Sequence, residues 1–265
     1  MKALIFCGGR GIVDPVSRQR IPKGMVQIGD RPLLWHVMKS IAAYGHTDFI
    51  LALGVGARAI HDYFVNGRTT DRNVRVDFAT GDVTPLTSAP EDNWTVTLVP
   101  TGQRAETGAR LSRCRPFLGH ERFLMTYSDC LANVAIDVLD EFHRARGKTL
   151  TVTGVQPIWR FGVFNSRGGE IVGYTPTAHL MSQFGFINGG YMIAEPAIFE
   201  DVEPFAECSL ESDVFPRLAE AKQIAVYQHD GFWQSVDAER DIEALNGIYW
   251  QNRRPWLRDG DERCP

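Results

Sequence analysis

The chain has 265 residues, 44% of them hydrophobic, with a formal net charge of −4 and five cysteines. That size suits one large α/β domain, or one domain with a small lid, rather than three domains. The acidic balance leaves no electrostatic footprint for nucleic acid, and no apolar run approaches the ~20 residues a membrane helix needs.

The elements follow in chain order. Residues 2–7 read as a buried strand ending in Cys7-Gly8-Gly9-Arg10-Gly11. Leu33 to Tyr44 places Leu34, Val37, Met38 and Ile41 on one helical face. A strand is predicted over 48–53, a helix over 57–64, a third strand over 75–79 and a polar loop over 80–93. A strand over 95–99 and a loop with a helix over 102–114 come next. The very apolar run Phe123 to Tyr127 ends at Ser128-Asp129. A helix over 134–146 and a strand over 149–155 close this half. Beyond residue 156 the runs shorten, with strands over 162–165, 170–173, 186–194 and 225–229 and a last helix over 238–249. Alternating βα units of this length predict a Rossmann-like α/β fold, a mostly parallel sheet flanked by helices with a small mixed-strand subregion. One domain is expected, with 1–155 as a nucleotide-binding core and 156–265 carrying acceptor contacts. The tail, Asn252 to Pro265, is polar apart from Trp256 and Leu257 and reads as a surface-docked or interface segment.

Cys7, Cys114, Cys130, Cys208 and Cys264 form no Cys-x-x-Cys pair, which predicts free thiols in a reducing cytoplasm. The chain enters a strand at once, with no secretory cleavage pattern.

A strand ending in a glycine-rich loop presents backbone N–H groups to an anion. Lys23, in Ile21-Pro22-Lys23-Gly24-Met25-Val26, returns a mobile positive charge to that loop. Together they read as a nucleoside triphosphate site. The loop is neither a Walker loop nor a complete dinucleotide fingerprint. Two aspartates follow strand-like runs, Asp129 and Asp237, where ligands of open α/β sheets bind. Paired carboxylates facing a lysine and a glycine loop suit Mg²⁺ held between protein and triphosphate. The bland alternative for Asp237 is a helix N-cap before Ala238-Glu239-Arg240-Asp241. For Asn188-Gly189-Gly190 it is a plain turn, and for Trp233 it is packing.

These stretches carry a resemblance. Gly8-Gly9-x-Gly11, Pro22-Lys23-x-Met25-Val26-x-Ile28-Gly29, Thr107-Gly108-x-Arg110-Leu111, Thr126-Tyr127-Ser128-Asp129, Arg160-Phe161-Gly162, Ile187-Asn188-Gly189-Gly190 and Gly231-Phe232-Trp233-Gln234-x-x-Asp237 occur in that order. The chain resembles the sugar-1-phosphate nucleotidyltransferases, most closely their glucose-1-phosphate cytidylyltransferase branch. The resemblance implies transfer of a nucleotidyl group, CTP favoured, to a sugar 1-phosphate, with Mg²⁺ as cofactor and pyrophosphate released. It implies that Gly8, Gly9 and Gly11 cradle the triphosphate and that Lys23 offsets charge at the α-phosphate. Asp129 and Asp237 would hold the metal. Thr107, Gly108 and Arg110 would meet the nucleotide, and Tyr174, Thr175 and Asn188 would line the acceptor side. A homo-oligomer is the family default.

Three departures stand out. The family's Gly-Gly-x-Gly-Thr-Arg ends here in Ile12-Val13, which removes an arginine that reaches the triphosphate. Arg10, Arg18 and Arg20 are the candidates to replace it. The family's Glu-Lys-Pro is Tyr174-Thr175-Pro176, and Gly-Asp-Gly is Ser128-Asp129-Cys130. Two readings stay open: an active transferase with an altered acceptor, or a binding-only member acting as a sensor or scaffold. Two carboxylates directed at one point are costly without a cation, which favours the first. A dehydrogenase would need an acidic residue closing the second strand, which ends in Leu53-Gly54.

Overall fold

The computed structural model describes residues 1–14, 18–66, 74–85, 93–156, 163–175 and 185–258. Seven strands form the central sheet: β1 (Ala3–Cys7), β2 (Asp48–Leu53), β3 (Thr95–Pro100), β4 (Phe123–Tyr127), β5 (Leu150–Val155), β6 (Ile187–Ala194) and β7 (Ile224–His229). Their spatial order is β7-β5-β6-β4-β1-β2-β3. All run parallel except β6, which is antiparallel to both β4 and β5. The start of β6 therefore lies at the same edge of the sheet as the ends of β1 and β4.

Strand periodicity splits the core in two. Ala3, Ile5 and Cys7 of β1 face one side with Phe49, Leu51 and Leu53 of β2. Leu4, Phe6, Ile50 and Ala52 face the other. Helices α1 (Leu33–Ala42), α2 (Ala57–Val65), α4 (Ile136–Arg146) and α6 (Glu239–Trp250) cover the first side, while α3 (Thr107–Leu118) and α5 (Phe215–Glu220) cover the second. Both faces of the inner strands β1, β2 and β4 are thus buried, which is why these runs are continuously apolar rather than alternating, whereas the edge strands β3 and β7 stay partly exposed.

Two expectations need correction. The strand expected over 75–79 is Val74–Val76, and it pairs with Val83–Pro85 as a separate hairpin outside the central sheet. Part of the stretch expected as a loop over 80–93 is therefore strand. The segment between β6 and β7, unassigned from sequence, holds a 3₁₀ turn (Pro196–Glu200), a π-turn (Leu210–Val214) and α5.

Within the tail, Trp256 is buried and docks on α1. Its indole N–H donates to His36 Nδ1 at 3.3 Å, and His36 Nε2 donates to the Ile28 carbonyl at 2.8 Å. The indole offers only a donor and the carbonyl only an acceptor, so the ring is neutral with its proton on Nε2. Burial pushes the His36 pKa down to about 4. Between about pH 6.5 and pH 4 the unfolded chain then holds a proton that the folded chain refuses. Stability accordingly falls as pH drops through that window, by about 3 kcal/mol from this group. Denaturant titrations at pH 7 and pH 4.5 should give a smaller loss for His36→Gln than for the parent. Equal losses would assign the acid sensitivity to other groups.

Candidate active site

The two aspartates converge because of a small ribbon rather than the central sheet. Cys130–Ala132 pairs antiparallel with Trp233–Ser235, with Cys130 opposite Ser235. Asp129 immediately precedes the first strand and Asp237 follows the second, so antiparallel pairing sets them side by side. The Val236 N–H donates to the Asp129 carbonyl at 2.8 Å and closes this end of the ribbon. The N-cap alternative for Asp237 fails. Helix α6 begins at Glu239, and the buried Asp241 carboxylate accepts the backbone N–H groups of Asp237 and Ala238 at 3.0 and 2.9 Å. The Asp237 side chain is thereby left for the site.

Lys23 sits on a 3₁₀ turn (Lys23–Met25), and its ammonium bridges the pair, 3.1 Å from Asp129 Oδ2 and 2.6 Å from Asp237 Oδ1. Burial works against the Lys23 charge, but the hydrogen bonds and charges of Asp237 and Asp129 outweigh it and hold its pKa above the ordinary lysine value. The hydrogen bond from Lys23 holds the Asp237 carboxyl below the usual range, against a smaller opposing effect of burial. The cation that balances the two carboxylates in this structure is therefore the protein's own ammonium. Among the described residues no group of three or more His, Cys, Asp or Glu side chains could hold a metal. Two carboxylates fit Mg²⁺ in the one way open to them, since that ion commonly takes one or two carboxylates and completes its shell with phosphate oxygens and water.

Beside this cluster lies a cavity of about 140 Å³, lined by Gly8, Gly9, Lys23, Thr107, Arg110, Tyr127 and Asp129 among others. Its volume admits part of a nucleotide and leaves the remainder over an open mouth. A larger cavity of about 1020 Å³, beside Tyr44, Asn133 and Arg253, includes neither the glycine loop nor the aspartates. The three loop glycines have different reasons. A Cβ on Gly8 would lie 2.0 Å from Arg110 Cζ, a packing reason. Gly11 turns at φ +72° against the Ile21 carbonyl and does not line the cavity. Gly9 has open space where a Cβ would point.

Arg110 is almost wholly buried. Its Nη1 donates to the Leu53 carbonyl (3.1 Å), Thr101 Oγ1 (2.6 Å) and the Gly102 carbonyl (3.1 Å), and its Nη2 donates to the Gly8 carbonyl (2.9 Å). This one guanidinium ties the ends of β1, β2 and β3 together beneath the glycine loop. Burial lowers its pKa, and the nearby Glu106 carboxylate opposes that shift. Thr107 donates to Glu211 Oε2 (2.6 Å) and accepts the Leu210 N–H (2.8 Å), so its hydroxyl is already engaged. Gly108 packs against Cys208 instead of lining the cavity.

Asn188 is not in a plain turn. It is the second residue of β6, opposite Gly154 of β5, accepts the Gly190 N–H at 2.9 Å and donates to the Tyr127 hydroxyl at 3.3 Å. Trp233 packs against the core, as expected, and also donates its indole N–H to the Gly189 carbonyl at 2.9 Å, tying the ribbon to β6. Tyr174 and Thr175 close the outer strand Glu170–Thr175; their side chains, like Pro176 and Arg160-Phe161-Gly162, lie outside the described residues. Of the arginines weighed for the missing loop contact, Arg20 is spent on the Arg10 and Gly11 carbonyls, at 3.3 Å each. Cys7, Cys114, Cys130 and Cys208 are free and buried; Cys264 lies outside the described residues. Burial raises the Cys7 thiol to about 12, so it is inert. Glu211 went unnoticed in the sequence. Its only cue was a helix-start pattern at Ser209, whose hydroxyl accepts the Ser212 N–H at 3.3 Å.

Comparison with known proteins decides the family. No family model matches the chain. The probable glucose-1-phosphate cytidylyltransferase of Bacillus subtilis is 33% identical over 256 residues, covering 97% of this chain and 99% of that one. The glucose-1-phosphate cytidylyltransferase of Salmonella typhimurium is 34% identical over 259 residues, covering 97% and 98%. The chain belongs to the sugar-1-phosphate nucleotidyltransferases. A mannose-1-phosphate guanyltransferase of Schizosaccharomyces pombe is a more distant member, 27% identical, of which the match covers 66%. Among solved structures, HddC from Yersinia pseudotuberculosis complexed with GMP-PN superposes with a TM-score of 0.65 at 18% identity, covering 94% of this chain and 99% of that one. A UDP-glucose pyrophosphorylase complexed with UDP-glucose gives 0.64 at 18% identity, covering 95% and 99%. These structural likenesses establish the nucleotidyltransferase fold. No helix among the described residues of this nucleotidyltransferase is long and apolar enough to cross a membrane.

Proposed function

We propose that the protein is a sugar-1-phosphate cytidylyltransferase acting on CTP and a sugar 1-phosphate whose pocket departs from the family pattern. The observation that carries this reading is the convergence of Lys23, Asp129 and Asp237 beside the glycine-loop cavity. The activity named for the full-length relatives at 33–34% identity favours catalysis over the binding-only alternative.

In this reading a phosphate oxygen of the acceptor attacks the α-phosphorus of CTP, and pyrophosphate leaves from the opposite side. Such chemistry needs positioning and charge neutralisation rather than a covalent protein nucleophile. The Gly8 and Gly9 amides receive phosphate oxygens, with Gly11 shaping the turn. Lys23 turns from the aspartates toward the α-phosphate. Asp129 and Asp237 would hold Mg²⁺, which when bound neutralises phosphate charge and orients the leaving group. Arg110, Thr107 and Gly108 build the nucleotide side, and Arg110 acts by fixing the loop from below. Arg10, exposed on the loop, makes the missing phosphate contact. Residues 1–155 serve the nucleotide and 156–265 the acceptor within one domain. The buried free thiols support a reducing, cytoplasmic setting.

The test is pyrophosphate release with Mg²⁺, across the nucleoside triphosphates and a panel of sugar 1-phosphates. Release with CTP and one acceptor supports the reading; a thermal shift with CTP and no release across the panel favours the binding-only alternative. The neutral segment Tyr174-Thr175 stands where the family carries Glu-Lys. A Tyr174→Glu, Thr175→Lys double variant is expected to raise the relative kcat/KM for glucose 1-phosphate by about tenfold, the worth of roughly one charge-assisted hydrogen bond. Unchanged ratios among acceptors would remove this segment from acceptor choice.

A further inference from the structure

Glu211 has no place in the chemistry above, yet it is the centre of the densest side-chain network near the cavity. Its Oε2 accepts the Thr107 hydroxyl at 2.6 Å and the Ser209 hydroxyl at 3.0 Å. Its Oε1 accepts the Tyr127 hydroxyl through a short hydrogen bond. The oxygen of Tyr127 in turn accepts Asn188 Nδ2 at 3.3 Å. Every proton has one direction: Thr107 and Tyr127 each have a single hydroxyl proton, and both are given to Glu211. Only a carboxylate accepts from three hydroxyls at once; an amide would turn two donors toward them.

The two ends of this chain of bonds belong to different halves of the site. Thr107 starts α3 and lines the nucleotide cavity with Tyr127. Asn188 is the second residue of β6, which arrives from the acceptor half of the chain. Among the described residues, Thr107 and Asn188 make no other hydrogen bond to a side chain. We infer that Glu211 is a positioning residue which, through Tyr127, sets Thr107 and Asn188 as one unit, so that sugar-phosphate and nucleotide binding are coupled. This rests on the cytidylyltransferase reading for the assignment of the two halves. Whichever substrate orders its own end of the network fixes the other end in advance, and coupling of this kind is reciprocal.

A purely structural role for Glu211 would be to pin the turn Leu210–Val214. Tyr127→Phe separates the two roles. It leaves the Thr107 and Ser209 bonds to Glu211 in place and cuts the link to Asn188. The measurement is calorimetric binding of α,β-methylene-CTP with Mg²⁺, alone and with each sugar 1-phosphate of the panel that supports turnover. In the parent protein the acceptor should tighten analogue binding by about fivefold or more. In Tyr127→Phe that factor, the ratio of analogue affinities with and without acceptor, should fall to within about twofold of one, whatever the change in analogue binding alone. Glu211→Gln, as a second variant with a parent-like melting temperature, should lose the coupling as well. A parent factor retained in both variants, or a turning-over parent with no coupling, overturns this inference alone. A parent that neither binds the analogue nor releases pyrophosphate overturns the functional reading, and this inference with it.

Discussion

Asp129→Asn is expected to lower pyrophosphate release by at least ~1000-fold while leaving the melting temperature within a few degrees of the parent. Asp129 stands two residues beyond the end of β4, lies in the cavity wall and faces the Lys23 ammonium. Asparagine is nearly isosteric, so packing survives, but one of two negative oxygen donors is lost. A thousandfold corresponds to about 4 kcal/mol of transition-state stabilisation, in the range a metal clamp on transferring phosphoryl groups supplies. The fold should tolerate the change because the carboxylate is about one-third exposed, and partly exposed ion pairs contribute little to stability. Steady-state assays with CTP and the best acceptor check the rate, and thermal melts check the fold. Turnover within tenfold of the parent would remove Asp129 from the reacting centre.

The second large effect belongs to Arg110, and there stability and binding should fall together. Its four hydrogen bonds satisfy three backbone carbonyls and one hydroxyl at the ends of β1, β2 and β3. Arg110→Lys keeps a charge but cannot reproduce a planar fork that reaches Gly8 and Gly102 together. It leaves buried carbonyls unpaired and a strongly hydrated ammonium out of water. The expected loss is about 3–5 kcal/mol by chemical denaturation, together with loss of the CTP-dependent thermal shift. A Lys variant within 1 kcal/mol of the parent would mean that water or a neighbouring donor replaces the fork.

The central strands were readable because both of their faces are buried. Unbroken apolar runs such as Asp48–Leu53 and Phe123–Tyr127 have sharp ends and little ambiguity, and their predicted bounds match the observed ones. Residues 195–223 were opaque for the opposite reason. A 3₁₀ turn, a π-turn and a six-residue helix have three different periods, so no single pattern emerges. At the site, Lys23, Asp129 and Asp237 could be selected by residue type and family pattern, but their meeting point depends on the pairing of Cys130–Ala132 with Trp233–Ser235. Strand pairing across so long a separation leaves no local trace. Arg110 could be named as a site residue, whereas its direction, toward backbone carbonyls, was not visible. Asn188 could likewise be named from the family pattern, but the antiparallel sense of β6, which brings the beginning of a strand to the edge where the other strands end, was not visible.

That ribbon has a consequence for biosynthesis. Its two halves lie more than 100 residues apart, and the second arrives only when the C-terminal part of the chain has left the ribosome. Domains assemble from the N-terminus during synthesis at about 5–20 residues per second. A nascent chain ending before Trp233 would already contain Lys23, Asp129 and most of the strands, but only one of the two carboxylates. The reacting centre is therefore completed late, and a prematurely terminated product would be born without it.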